Sequence, residues 1–327
     1  MSNDQQSLRK GLEALILSDL QIAGNESLLS DVFAKVSSNV KTGVEWAGGK
    51  MADGAVQALK QANTSILQQL GARKLLLSNL ASRTRNDGIK ESSTLTSGQV
   101  RKLTTLEGND KVTPDNIEDD LVTLHNVISD VLKFQLELET YYQKELGLLK
   151  SFSSVKNTEE AVKSIQALDQ LSFPTPKFTI KQDSMFLTSV LAGGKQFVFN
   201  PDTCKFIVEQ ADLKSISGDA TVSFAKEDVL SLLTKVNALV IDYNAVTKAN
   251  EHYMNYIKEF NTVVGKSFVH LEEIKGQISI SLIRDMQSRL EGNPKVFSFY
   301  SGFLPKITLY IDDYVEALTS FLSKQFN

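Results

Sequence analysis

The 327-residue chain is poor in the residues that usually announce a chemistry. It carries one cysteine, Cys204, one tryptophan, Trp46, and three histidines, His125, His252 and His270. A single thiol closes no internal disulfide, and no two histidines stand at metal-ligand spacing. Six prolines and 18 glycines exclude a collagen-like or low-complexity chain. Positive charge is not in surplus either: the formal net charge is -4, which removes the sequence-independent attraction to nucleic-acid phosphates. Any contact with DNA needs a local basic patch. Long apolar runs are missing, since "LEALIL" at 12–17 and "NALVI" at 237–241 fall far short of the roughly 20 residues that span a bilayer. The start of the chain lacks the charged, apolar and small-residue succession of a secretory signal. Together these absences lead us to expect a soluble protein of a reducing compartment, or of a particle assembled in one.

What the sequence has is apolar periodicity, with 42% hydrophobic residues. Leu8, Leu12, Leu15, Ile16 and Leu20 recur at helical spacing, and Leu28, Leu29, Val32, Phe33, Val36 and Val40 repeat the pattern. Helix-favouring sequence resumes from about Ala55 to Leu80, and the polar stretch from Ser82 to Gly98 reads as a loop. Thr113 is placed to cap a long helix with Pro114 at its first position, and Thr158 a shorter one ahead of Glu159 and Glu160. After Pro174 and Pro176 the period changes: "KFTIK", "MFLTSVL", "KQFVFN", "CKFIVEQ" and "ATVSF" alternate as short strands between turn signals such as Gly193-Gly194. Helix returns at Lys226, breaks near Gly265, continues through Leu290, and ends with a last helix from Pro305. The expected fold is α+β and predominantly α-helical, with long amphipathic helices around a small inserted antiparallel sheet. Its expected division is a helical N-terminal region 1–45, a helical region 46–171, a β insertion 172–225, and a helical region 226–327 packing with 46–171.

Candidate sites are few. Gly49-Lys50 lacks the Gly at 44 and the Ser or Thr at 51 of a phosphate-binding loop, where the chain has Val44 and Met51. The second "AGGK", Ala192 to Lys195, fails likewise at Ser189 and Gln196, and suits a hairpin turn. Each histidine lies on an expected long helix; Glu273 stands one turn from His270, a spacing that by itself makes no metal site. Cys204 reads as a small packed residue, and Tyr243, Tyr253 and Tyr256 as core or partner packing. No hydrolase elbow, HExxH, CxxC or kinase set is present, so neither an enzyme activity nor a cofactor is expected.

One stretch remains. "KTGVEWAGGKMADG", 41–54, interrupts the helical pattern with four glycines and suits the exposed, extended substrate that a protease threads. Gly43, Val44 and Glu45 form a small-x-Glu site ahead of Trp46; the same pattern ends at Glu13, Glu26, Glu227 and Glu251, and the context singles out Glu45. Such a site resembles those of head-maturation proteases of tailed bacteriophages. The whole layout is similar to the internal head proteins of phiKZ-like giant phages: a short amphipathic N-terminal region, such a site, and a mostly helical body without enzyme motifs. The resemblance implies a structural virion protein, made in the bacterial host cytoplasm and packaged into the prohead. Its N-terminal segment would be removed, leaving the body in the capsid interior, within or beside the inner body. Its partners would then be other head proteins and the maturation protease, with packaged DNA nearby and no membrane. Two other readings of the residues stand beside it: a baseplate or neck component, and a helical-bundle pore-former inserting the hairpin 184–200.

Overall fold

The computed structural model describes residues 72–106, 111–178, 180–182, 185–200, 205–211, 218–290, 295–296 and 299–326. Over these the chain is predominantly helical with a small antiparallel sheet, an α+β fold as the periodicity implies. Helix α1 covers residues 72–86, followed by β1 (Ser93–Leu95) and α2 (Ser97–Leu103). Helix α3 (Pro114–Lys150) runs for 37 residues, and α4 (Thr158–Asp169) follows a short 3₁₀ turn. Strands β2 (Ile180–Gln182), β3 (Met185–Leu187), β4 (Lys195–Asn200), β5 (Lys205–Gln210) and β6 (Ala220–Val222) come next. Helix α5 (Lys226–Glu273), 48 residues long, then leads to α6 (Ile280–Arg289), a π-helical turn at Phe299–Phe303, and α7 (Leu304–Ser323).

Helix ends obey local chemistry. The Thr113 hydroxyl accepts from the Asn116 amide at 3.3 Å while the Asn116 side chain accepts from the Thr113 amide at 3.0 Å, so the expected cap of α3 is a reciprocal box ahead of Pro114. The cap of α4 is Asn157, one residue before the expected Thr158; its carboxamide accepts from the Glu160 amide at 3.0 Å. The break expected near Gly265 is absent, because Val263, Val264 and Leu271 continue the buried stripe through it. A lone glycine costs a helix only about 1 kcal/mol. The chain leaves the helix instead at 274–279, where Gly276 adopts φ 101°.

The four consecutive strands order β2-β3-β4-β5, all antiparallel. Strand β6 does not join them. It pairs with β1, Thr94 opposite Thr221, so the stretch 82–98 expected as a loop contains the end of α1 and a strand.

The chain divides into two compact units. The first unit comprises Phe134–Thr175 and Lys248–Gly302; its core is aromatic, with Phe134, Tyr142, Phe152, Tyr256, Phe299 and Tyr300 fully buried. The second unit holds α1, both sheets and α7 with Pro176–Thr247, and the earlier residues of α3. There Phe197 of β4 meets Phe303 and Tyr310 edge-on, at centroid separations of 5.3 and 5.9 Å, which fixes the inner face of the sheet against the last helix. The segment 89–93 interlocks with residues 325–326 in this unit: Ile89 bridges to Phe326, the Lys90 amide donates to the Gln325 carbonyl at 2.8 Å, and the Ser93 hydroxyl donates to the Gln325 side chain at 2.7 Å. The Arg83 guanidinium lies 4.4 Å from the Phe326 ring centre.

Candidate functional site

Among the described residues, a gathering of polar side chains lies inside the core of the first unit. Along α3, Tyr141, Tyr142 and Glu145 fall within five residues, and along α5, Tyr253 and Tyr256 recur one turn apart, so helical geometry alone brings each set to one face. Tyr253 stacks on Tyr300 of the π-helical turn at 3.8 Å with the rings 4° from parallel. Tyr142 lies 4.3 Å from Tyr256. Glu145, itself buried, accepts from the Tyr141 hydroxyl on Oε1 and from the Tyr256 hydroxyl on Oε2, each at 3.2 Å. Two phenol donors, one on each oxygen, are what a carboxylate needs to survive burial. Above them the Gln135 carboxamide donates to the side-chain oxygen of buried Asn250 at 3.4 Å.

Burial pushes the phenols of Tyr142, Tyr253, Tyr256 and Tyr300 above their ordinary value, and the Glu145 charge adds to the rise at Tyr256. These groups stay protonated throughout the physiological range, and Tyr256 is the donor among them to Glu145. The cluster can hold a carboxylate and fix a helix register; it is closed by Phe134 and Phe299, which meet edge-on at 5.1 Å.

In the second unit the polar elements are fasteners. Arg73 of α1 donates to Asp312 of α7 at 2.5 Å, with both side chains largely buried. Lys235 pairs with Glu118 and holds its carboxyl below the usual range by that hydrogen bond. Asp120, raised by burial, accepts from the Thr105 amide at 2.9 Å.

Among the described residues singled out by sequence, Tyr253 and Tyr256 lie with ring centres 6.0 Å apart, while His252 and His270 keep separate partners. Gly43, Val44, Glu45 and Trp46, with Gly49 and Lys50, lie outside the described residues, as do Glu13, Glu26 and Cys204. Glu227 and Glu251 lie in α5. His252 pairs with Glu139 at 2.8 Å on the surface, and His270 donates from Nε2 to the Val155 carbonyl at 2.7 Å, with Glu273 3.7 Å from its other nitrogen. Among the described residues no three His, Cys, Asp or Glu side chains form a metal-holding group. Gly193 and Gly194 of "AGGK" turn the chain with φ 77° and 71°. The Gly193 amide donates to the Thr104 carbonyl at 3.0 Å, and a Cβ there would stand 2.9 Å from the Arg101 carbonyl oxygen. Lys195 Nζ sits 5.5 Å from the Tyr310 ring centre. Within 184–200, Phe197, Val198 and Phe199 are buried, and no described helix is long and apolar enough to cross a membrane.

Tyr253 and Tyr256 pack in a core, while the Tyr243 side chain is outside the described set. Sequence reasoning missed Glu145 with its donor Tyr141, and Tyr300, which stacks on Tyr253. The available signal was Tyr141 four residues before Glu145, but a glutamate on a long helix ordinarily belongs to the solvated face. Compared with protein-family models, with curated proteins and with solved structures, the chain matches none.

Proposed function

We propose that the chain is a non-enzymatic structural protein of a tailed-bacteriophage head, packaged into the prohead and shortened there by a maturation protease that cuts after Glu45. The observation that carries this reading is the placement of the competing small-x-Glu sites. Glu227 is in the first turn of α5 and Glu251 is deep within it, and a protease cleft takes extended chain, so each would have to be unwound first. The matches that remain, Glu13, Glu26 and Glu45, all fall in the N-terminal region, and only Glu45 is followed by the glycine-rich stretch. A second feature supports the same reading: the part-buried Arg73–Asp312 pair gives the body its own fastening downstream of the cut. Residues 1–45 act in assembly, offering amphipathic sequence to scaffold or sister subunits, and cleavage removes that contact irreversibly. The retained body, 46–327, stays in the capsid interior with other head proteins.

The test is the intact mass and N-terminal sequence of the protein recovered from purified particles. A chain starting at Trp46 is the expected result. A chain starting at Met1 or Ser2 in mature particles refutes the cleavage, and absence from the particle refutes the virion assignment.

A further inference from the structure

The four-stranded sheet has two edges of different character. Strand β2 is three residues long, whereas β5 has six, contains no proline and pairs, among the described residues, only with β4. Short edges resist further pairing; a long edge without proline invites it.

Which backbone groups of β5 are free follows from the register. The Ala211 amide donates to the Gly194 carbonyl at 2.6 Å, and the pairing continues as Glu209 opposite Gln196 and Ile207 opposite Val198. In an antiparallel ladder every second residue exchanges hydrogen bonds with its opposite number, so the odd-numbered residues of β5 bond to β4. Phe206, Val208 and Gln210 therefore turn their N–H and C=O groups away from the sheet, and no described backbone group pairs with them. The side chains agree. Val208 lies directly across from fully buried Phe197, on the face that packs against α7, and yet is 37% exposed. Among the described residues nothing fully covers Val208 on the inner face of the sheet at this edge.

We infer that the β5 edge docks against the β5 edge of a second copy of this chain, antiparallel about a two-fold axis at Val208. The outward residues are spaced symmetrically about Val208, so Val208 pairs with its copy and Phe206 with Gln210 in both directions. Each N–H then meets a C=O, and the two exposed valines cover one another. Charge selects this arrangement. A parallel, in-register pairing sets Glu209 against Glu209, which is unfavourable, while the antiparallel one sets it against Ile207. The strand "KFIVEQ" holds one basic and one acidic residue, so two copies carry no net repulsion. Such an edge buries far less than the about 1,600 Å² of a standard interface, so the pairing is a weak one, expected at tens to hundreds of micromolar. The inference is independent of cleavage at Glu45.

The test is sedimentation equilibrium of the full chain over a concentration series to about 0.5 mM, with residue-resolved amide exchange at both ends. Val208→Pro removes an outward N–H that β4 does not use, and leaves the β4 ladder intact. It should raise the dimer Kd by at least about thirtyfold, equivalent to about 2 kcal/mol. Val208→Lys keeps the backbone donor but opposes two like charges at the axis, and serves if the proline variant fails to fold. Slowed exchange at Val208 and Gln210 that appears only at high concentration is the expected signature. Three results overturn the inference: a monomer throughout, a dimer indifferent to both substitutions, or amides already protected in the monomer, which would mean that the chain covers its own edge.

Discussion

Replacing Arg73 by Met should cost the second unit about 2–3 kcal/mol at neutral pH, and less in acid. The Arg73 and Asp312 side chains are 12% and 15% exposed and 2.5 Å apart. Burial is the leading influence on the Asp312 carboxyl and raises it above its ordinary value; Arg73 opposes the rise, and the neighbouring Glu316 and Asp313 add to it. Methionine keeps much of the arginine stem's volume and removes only the cation. Stranding a fully buried carboxylate costs about 3–5 kcal/mol, and the residual solvent contact here places the loss at or below the lower end. The pH dependence has a definite sign. A carboxyl whose folded pKa is raised binds its proton more tightly in the folded state, so stability falls as pH rises from the unfolded pKa through the folded one. Without Arg73 that window widens upward, and the penalty relative to wild type shrinks as pH falls through it. Urea unfolding near pH 7 and near pH 4.5, with Arg73→Met, Asp312→Leu and the double variant, reads all three quantities. The double variant should recover most of the loss, because an apolar pair leaves no charge uncompensated. A loss under about 0.5 kcal/mol, the scale of an ordinary surface change, would refute the reasoning, as would a loss equal at both pH values.

Tyr256→Phe removes the donor to Glu145 Oε2 and should lower the stability of the first unit by about 1.5–3 kcal/mol, read as a shift in denaturant midpoint; a neutral result would mean water replaces the phenol. Because the folded pKa values of Tyr142, Tyr253, Tyr256 and Tyr300 are raised, stability should fall above about pH 10, where unfolded tyrosine ionises, and Tyr300→Phe should lessen that alkaline loss in a pH titration of unfolding. Gly193→Ala forces a Cβ to within 2.9 Å of a carbonyl at positive φ and should destabilise by more than about 1 kcal/mol, whereas Gly265→Ala, in open space inside α5, should stabilise by up to about 1 kcal/mol; thermal midpoints decide both. Asn157→Ala should cost about 1 kcal/mol and Thr158→Ala nearly nothing, which urea midpoints would reverse if Thr158 were the cap of α4.

Features with local causes were legible from the chain. The start of α3 needs only Thr113, Pro114 and Asn116, and the turn at Gly193-Gly194 needs only its own residues and the strands beside it. Features decided at a distance were not. Strand β1 is three residues long and acquires its identity from Thr221 and its neighbours on β6, far along the chain. The persistence of α5 through Gly265 depends on burial of Val263, Val264 and Leu271, which outweighs one glycine's propensity. Glu145 looked like a surface residue because the phenols that satisfy it come partly from α5. Trp46 and its neighbours lie outside the described residues.

The interlocking of Ile89 to Ser93 with Gln325 and Phe326 also sets a schedule for synthesis. On a ribosome, β1 emerges long before β6 and longer still before Phe326, its neighbours' partner. At typical translation rates the wait between Leu95 and Phe326 is roughly 10 to 50 s. Through that interval the second unit is missing α7, against which Phe197 and Phe224 pack. The described pieces of the first unit are complete once Gly302 has emerged. The aromatic tyrosine core therefore has all its described residues before the second unit receives α7, and that strand-bearing unit stays unclosed until α7 has emerged.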